Sequence, residues 1–196
     1  MSNARILADL MGTSTTVPSS KLSLVSTDMP TGTILQVKHT TIQSTQSIAY
    51  NAAQDTALTG FSLSITPSST SSKILIMAQI MSARSDGDSR AFLIDIYRDS
   101  TKLTAAAATA QSSQLTAWIK SVSTESGNAD HGEINDTGFY LDSPSTTSSV
   151  TYSLKQRHQT NSNMNFLINR NGSDENNGNH WEARGGSQFM LMEVAG

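Results

Sequence analysis

The residues of this chain that could do chemistry are few and stand far apart. None of the four histidines, His39, His131, His158 and His180, has a partner at the short spacing from which a metal site is built. A structural or surface role is the plainer reading of each. In "RSDGDSR", residues 84–90, Asp86 and Asp88 flank a glycine, which outlines a calcium loop, but the twelve-position ligand pattern with its closing Glu is missing. Asp130, Glu133 and Asp136 lie close in sequence, yet a glycosidase pair is defined by a separation in space that the chain spacing does not fix. The stretch "NRNGSDENNGNHWEARGG", residues 169–186, is rich in asparagine and punctuated by glycine. Within it Asn171, Asp174, Asn177 and Trp181 have the chemistry of a glycan-binding loop: an indole to stack on a sugar ring, with amides and a carboxylate to bond its hydroxyls. The alternative is a solvated hairpin loop whose Trp tucks onto the fold. The G-x-S-x-G elbow, the phosphate-cradling glycine loop and the H-E-x-x-H motif are absent. The sequence thus predicts no catalytic residue, no metal and no cofactor, and a protein that is not an enzyme.

Composition narrows the classes further. Charged residues are 15% of the chain, against about 25% in an average soluble protein. Serine and threonine number 54 of 196, so hydroxyls and amides solvate the surface in place of charges. Net charge is −3, with only 13 scattered Lys and Arg, which argues against a nucleic-acid partner because phosphate binding calls for a basic stripe. There is no cysteine, which excludes disulfides, thiolate metal sites and a Cys nucleophile. No apolar run approaches the roughly 20 residues that span a bilayer. The opening "MSNARILADLMG" lacks the basic and apolar regions of a secretory signal. The expected site of synthesis is the cytoplasm, without membrane insertion and without signal-directed secretion.

The elements that would position any site are mostly strands. Residues 3–11, "NARILADLM", form the one helical pattern: Ile6, Leu7, Leu10 and Met11 make a narrow apolar stripe and Gly12 stops it. Residues 13–32 read as an extended arm or a disordered tail. From Thr33 the pattern is β: "ALTGFSLSI" puts Phe61, Leu63 and Ile65 on one face, and "KILIMAQIM" is apolar on both faces, as a covered central strand would be. "TAAAATAQ", 104–111, is open between helix, loop and strand. The closing strand sends Phe189 and Leu191 one way and Met190, Met192 and Val194 the other, so it is expected to be central and to lie beside the first strand. Two polar runs, "PSSTSS" after Pro67 and "PSTTSS" after Pro144, are each flanked by apolar or β-branched residues and predict two long hairpin turns inside one fold. The whole is all-β: an antiparallel jelly-roll sandwich of about ten strands, preceded by a short helix and arm. Residues 1–31 and 32–196 are the two expected units. Strands apolar on both faces carry more surface than one core can cover, and self-association follows.

Five stretches give the chain a likeness. "GTILQV" (32–37), "LSITPSSTSSKILIMA" (63–78), "IYRDST" (96–101), "YLDSPSTTSSVTY" (140–152) and "LMEVAG" (191–196) resemble a family of marine bacteriophage structural proteins. "NARILADLMGTSTTVPSSKL", 3–22, is similar to the short segment that often precedes that domain. The resemblance spans most of the chain and departs at about 103–135 and 171–187. It implies a fibre, spike or capsid-decoration subunit whose head looks like the trimeric jelly rolls of the tumour necrosis factor and complement globular-head superfamily. Its partners would be two further copies, other virion proteins through Ile6, Leu7, Leu10 and Met11, and, as a competing function, a host-surface glycan. The family carries no catalytic residues.

Overall fold

The computed structural model describes residues 28–49, 55–84, 91–122, 133–157, 165–180 and 183–196. The expected helix and most of the arm lie outside these residues. Alternating side chains and Gly-, Asn- and Ser-rich breaks give eleven strands among the described residues: β1 (Ile34–Ile42), β2 (Gln46–Ala49), β3 (Thr56–Ile65), β4 (Lys73–Arg84), β5 (Ala91–Arg98), β6 (Thr101–Lys102), β7 (Ile119–Val122), β8 (Glu133–Asp142), β9 (Val150–Arg157), β10 (Asn165–Ile168) and β11 (Ser187–Val194). A short 3-10 turn, Thr104–Ala106, resolves part of the alanine-rich segment, and the rest of it is irregular.

All ladders are antiparallel. The first sheet runs β1-β11-β4, with β8 on the far edge of β4 and β10 and β2 continuing past the end of β11. The second runs β3-β9-β5, with β6 and β7 on β5. The last strand therefore lies between the first strand and the longest one, as its two-sided apolarity requires. This is a jelly-roll sandwich. The core fills the space between the sheets with Phe61, Ile65, Ile94, Ile96, Tyr152 and Leu154 from one side and Ile74, Ile76, Ile80, Phe166, Phe189 and Leu191 from the other. Phe61 meets Phe189 at 6.3 Å and Phe92 meets Phe166 at 4.8 Å between ring centroids, both tilted, so aromatic pairs bridge the layers at two points.

The two Pro-Ser-Thr runs are turns within one fold, as expected, but they are not hairpins. β3 belongs to the second sheet and β4 to the first; β8 belongs to the first and β9 to the second. Each run is an arch that carries the chain across the sandwich. Packed sheets stand about 10 Å apart, which a two-residue turn cannot span and a six-residue run can. A second correction concerns β4. It is central, but it is not covered throughout: its inward side chains are buried, while Leu75, Met77 and Met81 on the other face are half-buried.

Candidate interaction surface

The residues behind the family likeness turn out to close the arches. In the first, the Glu193 side chain is buried between β11 and the arch. Its carboxylate accepts from the Ser68 amide, the Ser68 hydroxyl and the Gln36 amide nitrogen, each at 2.6 Å, and Gln36 also donates to the Thr66 carbonyl at 2.7 Å. Burial by itself would raise the Glu193 pKa, but the bonds from Ser68 and Gln36 outweigh it and hold the group below its ordinary value. Gly196 packs so closely here that a Cβ would stand 1.9 Å from the Ser71 carbonyl oxygen. In the second arch, buried Asp142 accepts from the Tyr152 hydroxyl at 2.6 Å and from Arg98 Nη1 at 2.8 Å. Burial, then the bond to Asp142, pushes the Tyr152 hydroxyl far above its usual range. Asp99, in the left-handed region at φ 54°, accepts the Thr151 amide at 2.9 Å. These charged groups fix the loops of the two arches.

Several other buried polar groups are similarly engaged. The Ser82 hydroxyl donates to Asp136 at 2.7 Å and lies 2.9 Å from the Ser121 hydroxyl. Asp95 pairs with Lys102 and with Arg157 Nε. The Tyr97 hydroxyl donates to Asp55, and burial followed by that bond raises its pKa strongly. Among the described residues, no group of three or more His, Asp or Glu side chains could hold a metal ion, and no helix is long and apolar enough to cross a membrane.

A different surface stands out. On the outer face of the first sheet, register aligns Val37, Met192, Leu75 and Leu141 in one row across β1, β11, β4 and β8. The next row is His39, Met190, Met77 and Phe139, and the third is Thr41, Gln188, Gln79 and Thr137. Ile34 is 55% exposed, Val37 49%, Phe139 60% and Leu141 46%; with Leu115 they are the exposed large apolar residues among those described. A groove of about 150 Å³ opens beside Phe139, with Met77, Gln79, Thr137, Gln188 and Met190 around it. The three rows hold no Asp, Glu, Lys or Arg; their titratable member is His39, whose ring lies 3.2 Å from Gln188 Oε1. Sequence reasoning saw both apolar faces of β4 and β11 but missed Phe139 and Leu141, because a strand that alternates cleanly looks the same whichever face meets water.

The candidate glycan loop is only partly a surface. Asn171 is buried, and its Oδ1 accepts the Asp174 amide at 2.6 Å. Asp174 takes a two-pronged bond from Arg184, at 2.7 and 2.8 Å, which holds its carboxyl below the usual range. Asn177 is exposed and bonds Glu175 and the Asn179 amide. Trp181 lies outside the described residues, as do Ile6, Leu7, Leu10 and Met11, the calcium-like Asp86 and Asp88, Asp130, His131 and His158. The loop's real anchor was missed: buried Asn169 donates to the carbonyls of Ile42 at 2.7 Å and Ser44 at 3.1 Å and accepts from Ser187 at 2.6 Å. A cap of this kind leaves no periodic signal.

No protein family and no curated protein matches the chain. Solved structures of the VP2 protein of infectious bursal disease virus share part of the arrangement. A VP2 subviral particle aligns with a TM-score of 0.37 at 12% identity, over 82% of this chain and 38% of that one. A VP2 mutant in derived T=1 particles gives 0.34 at 11%, over 82% and 37%. The Gx strain of the virus gives 0.33 at 12%, over 83% and 39%. The chain spans under two fifths of the proteins matched.

Proposed function

We propose that this chain is a non-enzymatic structural protein of a virion: a homotrimeric fibre, spike or capsid-decoration subunit. In this reading residues 1–31, with Ile6, Leu7, Leu10 and Met11, dock to the particle, and residues 32–196 form the head. The observation that carries it is the apolar patch on the outer face of the first sheet, the two rows from Val37 to Leu141 and from His39 to Phe139, which hold no Asp, Glu, Lys or Arg. A sandwich whose interior is already filled has no internal use for a second apolar surface, and an exposed patch of this kind is normally covered by another protein. The use of Glu193, Asp142 and Arg98 as arch anchors supports the same reading, since these charged residues are committed to holding the shape. The phage resemblance supplies the kind of assembly. Light scattering is expected to give three times the 20.9 kDa chain mass; a stable monomer overturns the trimer. A chain beginning at Gly32 is expected to stay folded and trimeric but to be missing from purified particles. Its incorporation would overturn the docking role of the arm.

Glycan recognition by the head is the second reading. Its support is the exposed run Glu175–His180, carried on a base fixed by Asn171, Asp174 and Arg184. A glycan array with the isolated head tests it, and binding that survives Asn177→Ala unchanged removes this loop from the account.

A further inference from the structure

The chain contains two Asn-Gly pairs, Asn171-Gly172 and Asn177-Gly178, in one loop. Asparagine is a thermally labile residue. A following glycine favours its loss, because no Cβ screens the backbone nitrogen that can reach the side-chain carbon. The structure treats the two pairs in opposite ways. Asn171 is buried, at 2% exposure. Its Oδ1 accepts the Asp174 amide at 2.6 Å and the Ser173 hydroxyl at 3.4 Å. Arg170 donates to the backbone carbonyls of Asn171 at 3.1 Å and Gly172 at 3.4 Å, so the peptide joining the pair is pinned on both sides. Asn177 and Gly178 are both exposed. The Asn177 side chain folds back over its own backbone: Oδ1 accepts the Asn179 amide at 3.0 Å and Nδ2 donates to Glu175 at 2.8 Å. That turn brings Cγ round toward the intervening Gly178 nitrogen. A Cβ built on Gly178 would meet nothing within 4 Å, so the approach is open.

The geometry points to Asn177 as a site of spontaneous deamidation, with Asn171 protected in the same loop. The Gly178 amide nitrogen gives its proton to solvent base and attacks Asn177 Cγ. A bond forms between that nitrogen and Cγ, the Cγ–Nδ2 bond breaks, and Nδ2 leaves as ammonia with a proton from water. Water then opens the cyclic imide. Addition at Cγ gives aspartate in an ordinary backbone; addition at the Asn177 backbone carbonyl carbon gives isoaspartate, whose main chain runs through the former side chain. Nothing is oxidised or reduced, and water in against ammonia out closes the balance. The product is a carboxylate, ionised at neutral pH, in place of the amide that donated to Glu175. Attraction at that point becomes like-charge repulsion, and the isoaspartate form also lengthens the main chain. The exposed tip Glu175–His180 therefore changes charge and shape as the protein ages, while its base on Asn171, Asp174 and Arg184 stays fixed. This holds whether or not the tip binds a glycan.

The full chain is kept warm in mildly alkaline buffer, natively and in guanidinium chloride, and sampled over days. Trypsin at slightly acidic pH releases residues 171–184, bounded by Arg170 and Arg184, so one peptide reports on both pairs. Fragment masses tell which asparagine has become an acid. In the native chain, conversion is expected at Asn177 alone, as a mixture of aspartate and isoaspartate in which an isoaspartyl methyltransferase labels only the second. In denaturant, Asn171 is expected to convert as readily as Asn177. Gly178→Ala, whose Cβ has open space in the fold, is expected to slow the native reaction several-fold. Native conversion of Asn171 at the rate of Asn177 overturns the protection, and an Asn171 that stays unreactive in denaturant overturns the fold as its source. Absence of conversion at Asn177 overturns the site. So does a product that is aspartate alone, or a rate that Gly178→Ala leaves unchanged, since either means direct hydrolysis without attack by the Gly178 nitrogen.

Discussion

Replacing Glu193 with glutamine tests whether the first arch is held by a buried carboxylate. The substitution keeps the shape and removes the charge. In the native protein three donors converge on Glu193 at 2.6 Å, two from Ser68 and one from Gln36. Glutamine can still accept at one atom, but its other terminal atom becomes an NH2 group that meets at least one of those donors head on. A hydrogen bond to a charged group contributes about 1.5–3 kcal/mol. Losing one such bond and weakening the others predicts about 2–4 kcal/mol for Glu193→Gln. At about 2–4 °C per kcal/mol for a chain of this size, Tm should fall by about 4–16 °C. Acidity gives a second handle. The folded-state pKa of Glu193 is depressed, so its contribution is complete above the unfolded value of about 4.3 and is lost as pH falls through the folded value. Parent and variant melting curves, well separated at pH 7, should converge in strong acid. An unchanged Tm at pH 7, or a gap that persists undiminished at the lowest pH where the fold survives, would refute the role given to this carboxylate.

Three further outcomes follow from the packing. Leu191 is fully buried at the centre of the first sheet, so Leu191→Ala should cost about 2–5 kcal/mol, whereas Ser149→Ala in the exposed second arch should leave calorimetric Tm nearly untouched. A Cβ at Gly138 would fall 2.6 Å from the Trp118 ring; Gly138→Ala should therefore displace that indole, costing about 1–3 kcal/mol and shifting tryptophan fluorescence, and an unshifted spectrum would refute the close packing. Tyr97 and Tyr152 have raised pKa values, from burial first and then their bonds to Asp55 and Asp142. Ultraviolet titration should show both still protonated where an ordinary tyrosine has ionised, at about pH 10, and stability should decline only as pH rises beyond that point.

Much of the fold was legible because alternation is a direct record of which side chains face the core. The period-two pattern at Phe61, Leu63 and Ile65 and the two-sided pattern of β11 both reappear in the sandwich. What alternation cannot encode is which sheet receives the next strand. A Pro-Ser-Thr run reads alike whether it folds a strand back on itself or carries it across the core, so the sequence pattern predicts hairpins where the structure has arches. The candidate surface was half legible: β4 and β11 announced an excess of apolar area, but not which face would be left open. The anchors were illegible for another reason. Glu193, Asp142 and Asn169 are single polar residues whose partners lie 125, 10 and 127 positions away, and no local pattern singles them out.

That first separation has a consequence for the order of events in the cell. The arch at Ser68 cannot be latched until residue 193 has been made, 125 residues later. At about 5–20 residues per second, this leaves roughly 6–25 s in which the nascent arch is unlatched. β1 waits longer still, since its ladder partner among the described residues is β11. The sandwich therefore closes after most of its chain exists, as one late step dominated by distant pairings, which are slow to form. Within that interval β3 waits for β9, and β4 waits for β8, then β10, and last β11. A low-charge, hydroxyl-rich sequence offers little electrostatic repulsion to keep such chains apart, so the yield of folded protein should depend on synthesis rate and crowding more steeply than the finished structure would suggest.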